Sequence, residues 1–377
     1  MRVLVTGGAG FIGSHVVDAL VACGHETIVL DNLDPQVHGP GATAPRLLLH
    51  HESTAAISFR RGDVCDPGSV REALRGVQAV VHLAAAVGVG QSMYEPVYYI
   101  RNNDLATGVL LQEILSRRRD VRRLVVASSM SLYGEGSYRC TSCPGGEPRP
   151  RSETQLAAKR FEVECSSCGA EMEPAPTPET KTPDLCSIYA ATKKHQEDLF
   201  LTFGRAYRIP TFALRFFNTF GQRQSLANAY TGVAAIFLSR LLSGKPPLVF
   251  EDGRQSRDFV DVRDVAQAVL LAIDSEAEGA HALNIGTGER ITISGVAATL
   301  ARELGVDITP QLLGRVRVGD IRHCYADPSL AERILGFKAC YRLATGVGSL
   351  VKWCRGERTA DRVEDSLREL SREDLVR

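Results

Sequence analysis

Residues 3 to 15 read VLVTGGAGFIGSH, a short apolar run followed by glycines at 7, 10 and 13. Val3-Leu4-Val5 suits a strand buried on both faces, and Phe11-Ile12 with Val16-Val17 begins a helical apolar stripe. A tight strand-to-helix turn needs glycine so that backbone N–H groups can approach a pyrophosphate at the helix N-terminus. Val29-Leu30 ends a second strand, and Asp31 lies eighteen residues beyond Gly13. An acid there accepts hydrogen bonds from an adenosine ribose and repels a 2′-phosphate. Asn32-Leu33-Asp34 places no basic residue close behind it, which favours NAD over NADP. A glycine triplet alone is often a plain strand–turn–helix connection. With strand, helix and acid in register it predicts a dinucleotide cradle.

A second segment, YAATK at 189–193, sets Tyr189 and Lys193 one helical turn apart. Such a pair shares a helix face and by itself is mostly surface chemistry. Behind a dinucleotide cradle it reads differently. The ammonium, close to the phenol and the cofactor ribose, is expected to lower the tyrosine pKa from about 10, so that the phenolate serves as general base on a sugar hydroxyl.

These motifs resemble the extended short-chain dehydrogenase/reductase superfamily, in particular its sugar-nucleotide epimerases and dehydratases. The resemblance runs from Met1 to about Trp353 and includes Asp63-Val64, HLAAA at 82–86, Asn103 and SSMSLYG at 128–134. It continues through LRFFNTFG at 214–221, RDFVDV at 257–262, NIGTG at 284–288 and RVGD at 317–320. It implies cofactor contacts at Gly7, Gly10, Phe11, Ile12, Gly13, Asp31, Asn32, Asp63, Val64, Leu83, Ala84, Ala85, Asn103, Tyr189, Lys193 and Phe217. Ser129 matches the position where the family places its catalytic Ser or Thr, which hydrogen-bonds the reacting hydroxyl. Asn218, Arg257, Arg317 and Asp320 match its substrate contacts, and arginine's planar fork suits a diphosphate. Either arginine could instead close a surface salt bridge. The resemblance also implies a homodimer through helices near 104–116 and 189–204.

The 377 residues exceed one typical domain. Strands and helices alternate to about residue 220, implying an α/β fold with a doubly wound parallel sheet of Rossmann type. The expected NAD-binding domain is 1–221. Residues 33–56, with Pro35, Gly39, Pro40, Gly41 and Pro45, read as a loop beside the adenosine site. A smaller C-terminal substrate lobe is expected over 222–356, with helices near 231–242 and 294–304 and strands near 247–250 and 308–313, while 259–286 returns to the first domain. The charged segment 357–377 reads as a terminal helix docked weakly or on a neighbour. Basic and acidic residues balance at 44 each, which offers no electrostatic case for nucleic acid or a membrane. Arg117-Arg118-Arg119 and Arg122-Arg123 read as a solvated helix end. No charged-then-apolar leader and no apolar run of about 18 residues is present, so a cytoplasmic location is expected.

One insert departs from the family pattern. Between Tyr138 and Pro183 lie Cys140-x-x-Cys143 and Cys165-x-x-Cys168, separated by 21 residues. Two such pairs resemble a zinc ribbon over 138–182, and four thiolates leave no open coordination position, so structural zinc is expected. Disulfides or free thiols are the alternatives, disulfides being rare in the cytoplasm. A ribbon can also bind nucleic acid, which would make the chain a dinucleotide-sensing regulator. The insert's Glu153, Glu162, Glu164, Glu171, Glu173 and Glu179, its few aromatics and its proline-rich end argue against that.

The family's 4,6-dehydratases follow the Ser129 position with an Asp-Glu pair; here those places hold Met130 and Ser131. Elimination of water then lacks its acid and base, leaving reversible redox at one carbon. An NAD preference favours an epimerase that recycles one cofactor over a net reductase. DNLDPQVHGP (31–40), AVGVGQSMYEPVYYIRNN (86–103), the cysteine insert and ANAYTGVAAIF (227–237) further resemble the bacterial dTDP-L-rhamnose 4-epimerase branch. The substrate implied is a dTDP- or UDP-linked nucleotide sugar. A UDP-hexose or UDP-glucuronate 4-epimerase and a dTDP-4-keto-6-deoxysugar reductase are the alternatives.

Overall fold

In a computed structural model, which describes residues 1–51, 55–226, 232–357, 361 and 363–377, seven parallel strands form the central sheet. They are β1 (Arg2–Thr6), β2 (Glu26–Asp31), β3 (Ile57–Arg61), β4 (Ala79–His82), β5 (Arg123–Ser129), β6 (Thr211–Phe216) and β7 (Ala280–Ile285). Their spatial order is β7-β6-β5-β4-β1-β2-β3. The direction of winding therefore reverses between β1 and β4, and in such sheets ligands bind beyond the carboxyl ends of the strands at that point. Register sets Val3 beside Thr27 and Ala79, and Thr6 beside Leu30 and His82.

Both faces of the sheet are covered, which is why its strands are almost unbroken apolar runs. Side chains alternate along β1: Val3 and Val5 enter one core, Leu4 the other. The first core receives α1 (Phe11–Ala22) through Val16, Val17 and Leu20. The second receives α2 (Pro67–Ala73), α3 (Ala106–Leu115) and α4 (Ile188–Tyr207) through Val70, Leu110, Ile114, Phe200 and Leu201.

A third core belongs to the smaller lobe. It joins α5 (Val233–Leu242), α7 (Ile293–Leu304) and α8 (Leu343–Arg355) through Leu238, Val296, Leu300, Val347 and Leu350. Between α5 and α7 the chain goes back to the sheet: α6 (Val262–Asp274) packs on α1, and β7 pairs with β6. Leu248–Val249 and Gln311–Leu312 pair with each other, while Ser256–Arg257 lies between Ile291–Thr292 and His323–Cys324. Of ANAYTGVAAIF, residues 227–231 lie outside the described residues, as do 52–54 of the 33–56 segment. That segment carries two short helical turns, Pro35–His38 and Arg46–His51, where only loop was expected.

Within the insert, Ser137–Arg139 pairs antiparallel with Glu173–Ala175, and Pro148–Arg149 with Glu164–Cys165. The terminal segment differs from expectation. Helix α9 (Val363–Arg372) docks firmly on its own chain, with Leu370 buried and aimed at Gly90. Residues 375–377 then lie antiparallel to 316–318, Val376 forming a β-bridge with Arg317. Three backbone hydrogen bonds of 2.8–2.9 Å hold them there, contacts that charge and leucine spacing could not reveal. Among the described residues no helix is long and apolar enough to cross a membrane.

Candidate active site

At the β1–α1 turn the glycines leave no room. A Cβ on Gly13 would stand 2.1 Å from Gly7 O, and one on Gly7 2.7 Å from Ala84 N; Gly7 also has φ +70°. Gly10 is less confined, its nearest such atom being Gly7 O at 3.4 Å. Gly10 caps α1 without any side-chain hydrogen bond, so among the described residues the first-turn N–H groups of Phe11, Ile12 and Gly13 have no side chain to bind. Bare helix-end donors in a cradle this tight fit a dinucleotide pyrophosphate.

Asp31, at the end of β2, is buried; its Oδ2 accepts from Ala9 N at 3.0 Å and its Oδ1 from Leu33 N at 2.9 Å. His38 folds back to place Nε2 3.5 Å from Asp31 Oδ1, a cation-capable partner that the residues just after Asp31 do not announce. Asn32 is exposed and its Oδ1 accepts from Asp34 N. Asp63 turns the chain after β3 by accepting from Cys65 N at 2.8 Å, is paired with Arg101, and leaves Val64 buried. Leu83, Ala84 and Ala85 follow β4 at the reversal point, and Leu83 N donates to Thr6 O. Phe217 is buried just beyond β6, where its N–H donates to Ile285 O.

Ser187 caps α4 through Ala190 N, which sets Tyr189 and Lys193 on its first two turns. Tyr189 packs edge-on against Tyr99, ring centres 6.3 Å apart, and its N–H donates to Ser92 Oγ. Ser129 ends β5 and caps a short turn, its Oγ accepting from Ser131 N and Ser131 Oγ. The structure thus gathers Ser129, Tyr189 and Lys193 at the carboxyl ends of the central strands. The electrostatics correct one expectation. Burial raises the Tyr189 pKa, and the opposing influence is hydrogen bonding from Ser129, not the ammonium. Lys193 is itself buried; desolvation pulls its pKa down to about 7 against Glu197 and Asp104, and its Nζ donates to Gln196 Oε1 at 2.7 Å.

That hydrogen bond opens a buried polar chain. Gln196 Nε2 donates to Thr107 Oγ1 at 2.9 Å and lies 3.2 Å from His82 Nε2, while His82 Nδ1 meets Thr6 Oγ1 at 2.7 Å. Burial, reinforced by Lys193, lowers the His82 pKa to about 3, so the ring is neutral. Asn103, fully buried, joins Ala86 to Thr192 Oγ1. The lysine is thereby tied to the glycine strand. Gln196 is three residues beyond Lys193 on the same helix face, the signal by which periodicity could have found it.

Of the residues expected to meet substrate, Asn218 has its Oδ1 buried with no hydrogen-bond partner among the described residues, as a ligand contact would be. Among the described residues Arg257 pairs with no acid; its guanidinium donates to the carbonyls of Ser256, Ile321 and Arg322. Arg317 and Asp320, both expected to face substrate, pair with each other at 2.7 Å. Beside Ser129, Met130 is buried, and Ser131 is occupied with the Ser129 hydroxyl.

The insert brings its four cysteines together. Sγ–Sγ separations are 3.4–3.6 Å for the four pairs Cys140–Cys143, Cys140–Cys168, Cys143–Cys165 and Cys143–Cys168. All four are free thiols. Ligands 2.3 Å from one tetrahedral ion stand about 3.8 Å apart, so the donor set fits zinc. A Cβ on Gly146 would lie 2.4 Å from Cys165 Sγ, and the N–H groups of Cys168 and Ser167 bond that sulfur. A second cluster, Asp18 with His50 and His51, has its carboxylate engaged by Arg223 at 2.7 Å.

A doubly wound sheet with a glycine cradle at its reversal point, facing a buried Tyr-Lys pair and a serine, defines a nicotinamide-dependent enzyme of the short-chain dehydrogenase/reductase type. The chain belongs to the NAD dependent epimerase/dehydratase family, whose sequence profile matches residues 3–286. It is 35% identical over 359 residues to the dTDP-L-rhamnose 4-epimerase of Burkholderia thailandensis, covering 94% of this chain and 95% of that protein. Among solved structures it resembles the UDP-N-acetylglucosamine 4-epimerase of Methanobrevibacter ruminantium (TM-score 0.76, 29% identity, 95% and 99% of the two chains). It also resembles the Thermus thermophilus UDP-glucose 4-epimerase in complex with NAD (TM-score 0.72, 32% identity, 95% and 100%).

Proposed function

We propose that this protein is an NAD-dependent sugar-nucleotide 4-epimerase whose substrate is dTDP-L-rhamnose or its C4 epimer. The observation that carries the reaction type is the trio of Ser129, Tyr189 and Lys193 with Met130 and Ser131 beside it, where a dehydratase needs carboxylates. The nucleotide assignment rests on the 35% identity to the Burkholderia thailandensis enzyme along nearly the whole chain. NAD, when bound, supplies a reversible hydride acceptor. Tyr189 takes the C4 hydroxyl proton and Ser129 holds that oxygen. Lys193 stands one turn behind, with Gln196 fixing its Nζ. After the 4-keto sugar turns over within the site, Tyr189 returns the proton as the other face is reduced, so the reaction is redox-neutral. Asp31 would hold the adenosine ribose, and Asn103 and Phe217 would shape the cofactor pocket. Arg257 and Asn218 would hold the diphosphate, with Arg317 and Asp320 beside them.

We further assign one structural zinc to Cys140, Cys143, Cys165 and Cys168, and a homodimer through the helical run that ends in α3. Val97, Ile100 and Leu105 leave exposed apolar surface there, 50–77% accessible, which a second copy would cover. The test is to incubate the purified protein, without added NAD, with dTDP-L-rhamnose, UDP-glucose and UDP-glucuronate, and to resolve the products chromatographically. A C4 epimer from dTDP-L-rhamnose alone is expected. An epimer from a UDP-sugar would move the substrate assignment, and stoichiometric NADPH consumption would make the protein a reductase.

A further inference from the structure

Two of the three carbonyls that hold Arg257 belong to Ile321 and Arg322, and the carboxylate that holds Arg317 belongs to Asp320. Both candidate diphosphate arginines are therefore referenced to one short segment, 320–322. Arginine has five N–H donors. Arg257 spends three hydrogen bonds on carbonyls, leaving enough donors for an anion, and their direction is set by where that segment lies.

The segment is gripped from the insert. The Arg151 side chain, only 6% exposed, donates from Nη2 to Asp320 O at 3.0 Å while its Nη1 meets Glu251 Oε1 at 2.7 Å. Glu162 takes Arg322 Nη2 at 2.6 Å on one oxygen and His323 Nε2 at 3.0 Å on the other. Arg322 is completely buried, and its guanidinium is shared among Glu162, Glu251 and Asp252. Glu135 completes the grip by accepting from the backbone N–H groups of Arg322 and His323. Burial alone would raise the Glu162 pKa, but hydrogen bonds from His323 and Arg322 outweigh it and hold the carboxyl well below its usual range. The group is ionised wherever the protein is folded and working. Charged contacts of this geometry, largely out of water, are stronger and less screened than exposed pairs.

We propose that Arg151 and Glu162 of the cysteine-rich insert are positioning residues for the substrate diphosphate, acting by fixing the 320–322 segment that aims Arg257 and Arg317. The insert is thus part of the substrate site although none of its side chains need touch substrate. This inference rests on the nucleotide-sugar reading above.

The test uses the full NAD-loaded protein and titrates UDP and dTDP, each with uridine or thymidine as the control lacking phosphate. In Arg151→Met and Glu162→Gln the dissociation constant for whichever diphosphate the wild type binds should rise about tenfold, ~1.4 kcal/mol. KM should rise in parallel, kcat should change by less than about threefold, and NAD content should not change. Arg151→Lys, which restores the charge, should recover part of the loss. In an Arg257→Gln background the effect of Glu162→Gln should shrink, because the group it aims is gone; a merely structural role would leave it intact. Should Arg151→Met fail to fold, the near-isosteric Glu162→Gln carries the test. Unchanged diphosphate affinity in folded variants, or equal loss for the nucleosides, overturns the clamp alone. If the wild type binds neither diphosphate, the functional reading fails and the clamp with it.

Discussion

Around the cofactor cradle the chain is held by its own backbone, whereas the segment beside the two arginines proposed to hold substrate is held by ionised side chains from distant parts of the chain. Gly7 and Gly13 touch main-chain atoms of 7–8 and 83–84, and Gly7 N bonds Leu30 O. Segment 320–322 depends on Glu135, Arg151, Glu162, Glu251 and Asp252. A backbone-built site tolerates no added atom at its tight points, yet needs few residue types and writes a compact motif. A side-chain-built site tolerates gradual change and can diverge while the fold stays the same. That is the half in which relatives with similar folds would be free to select different nucleotide sugars.

The comparison is tested most severely at the point where the two halves meet. Tyr189→Phe keeps the ring against Tyr99 but removes the proton acceptor, so turnover should fall by about 10³-fold while bound NAD stays at wild-type level. Near-normal turnover would take Tyr189 out of the mechanism. A smaller loss should follow from Gly13→Ala, whose methyl would overlap Gly7 O: about 10- to 100-fold weaker NAD binding by titration of the cofactor-free protein. Gly10→Ala, with 3.4 Å of clearance and an ordinary φ of −78°, should weaken it by less than about threefold. Equal effects at 10 and 13 would mean that the cradle is not fixed by steric contact.

The insert stands between these extremes. Cys165→Ser with Cys168→Ser should abolish a zinc content of about one per chain and lower the unfolding temperature, since binding energy of structural zinc is folding energy. Turnover per folded molecule should fall less than about tenfold and mainly through KM, because a closed site cannot activate substrate. A variant that folds and keeps NAD, yet is inactive until zinc is returned, would make the metal catalytic.

The same contrast explains what could be read in the sequence. VLVTGGAG and YAATK name their residues because strand, turn and helix geometry place neighbours in sequence next to one another in space. The pairing of the cysteines at 140–143 and 165–168 was legible for the same reason, short spacing within each pair. Arg151 to Asp320, Glu162 to Arg322 and Leu370 to Gly90 join segments more than a hundred residues apart. No local pattern announces them. The one-turn spacing of Tyr189 and Lys193 shows in the sequence, but their burial does not, and desolvation is the largest influence on the pKa of both groups.

The last contrast separates the halves by pH. The buried Lys193 ammonium has its pKa lowered from 10.5 to about 7. Between those values the unfolded chain binds more protons at this site than the folded one, so stability rises with pH across the window, by up to about 1.4 kcal/mol per pH unit. Below pH 7 both states carry the proton and the site adds no slope. Glu162 is the opposite case, a carboxyl held below its ordinary 4.5, whose contribution is complete above that value and is lost as pH falls through the folded pKa. Urea unfolding of cofactor-free protein from pH 3 to pH 10 should therefore show two separate changes. Lys193→Met should flatten the curve above pH 7 and leave the acid limb alone, while Glu162→Gln should soften the acid limb and leave the alkaline slope intact. If Lys193→Met ran parallel to wild type above pH 7, the lysine would not be buried as a neutral amine. The cofactor half would then be stiffened by charge, as the substrate half is, and the distinction between the two would fail.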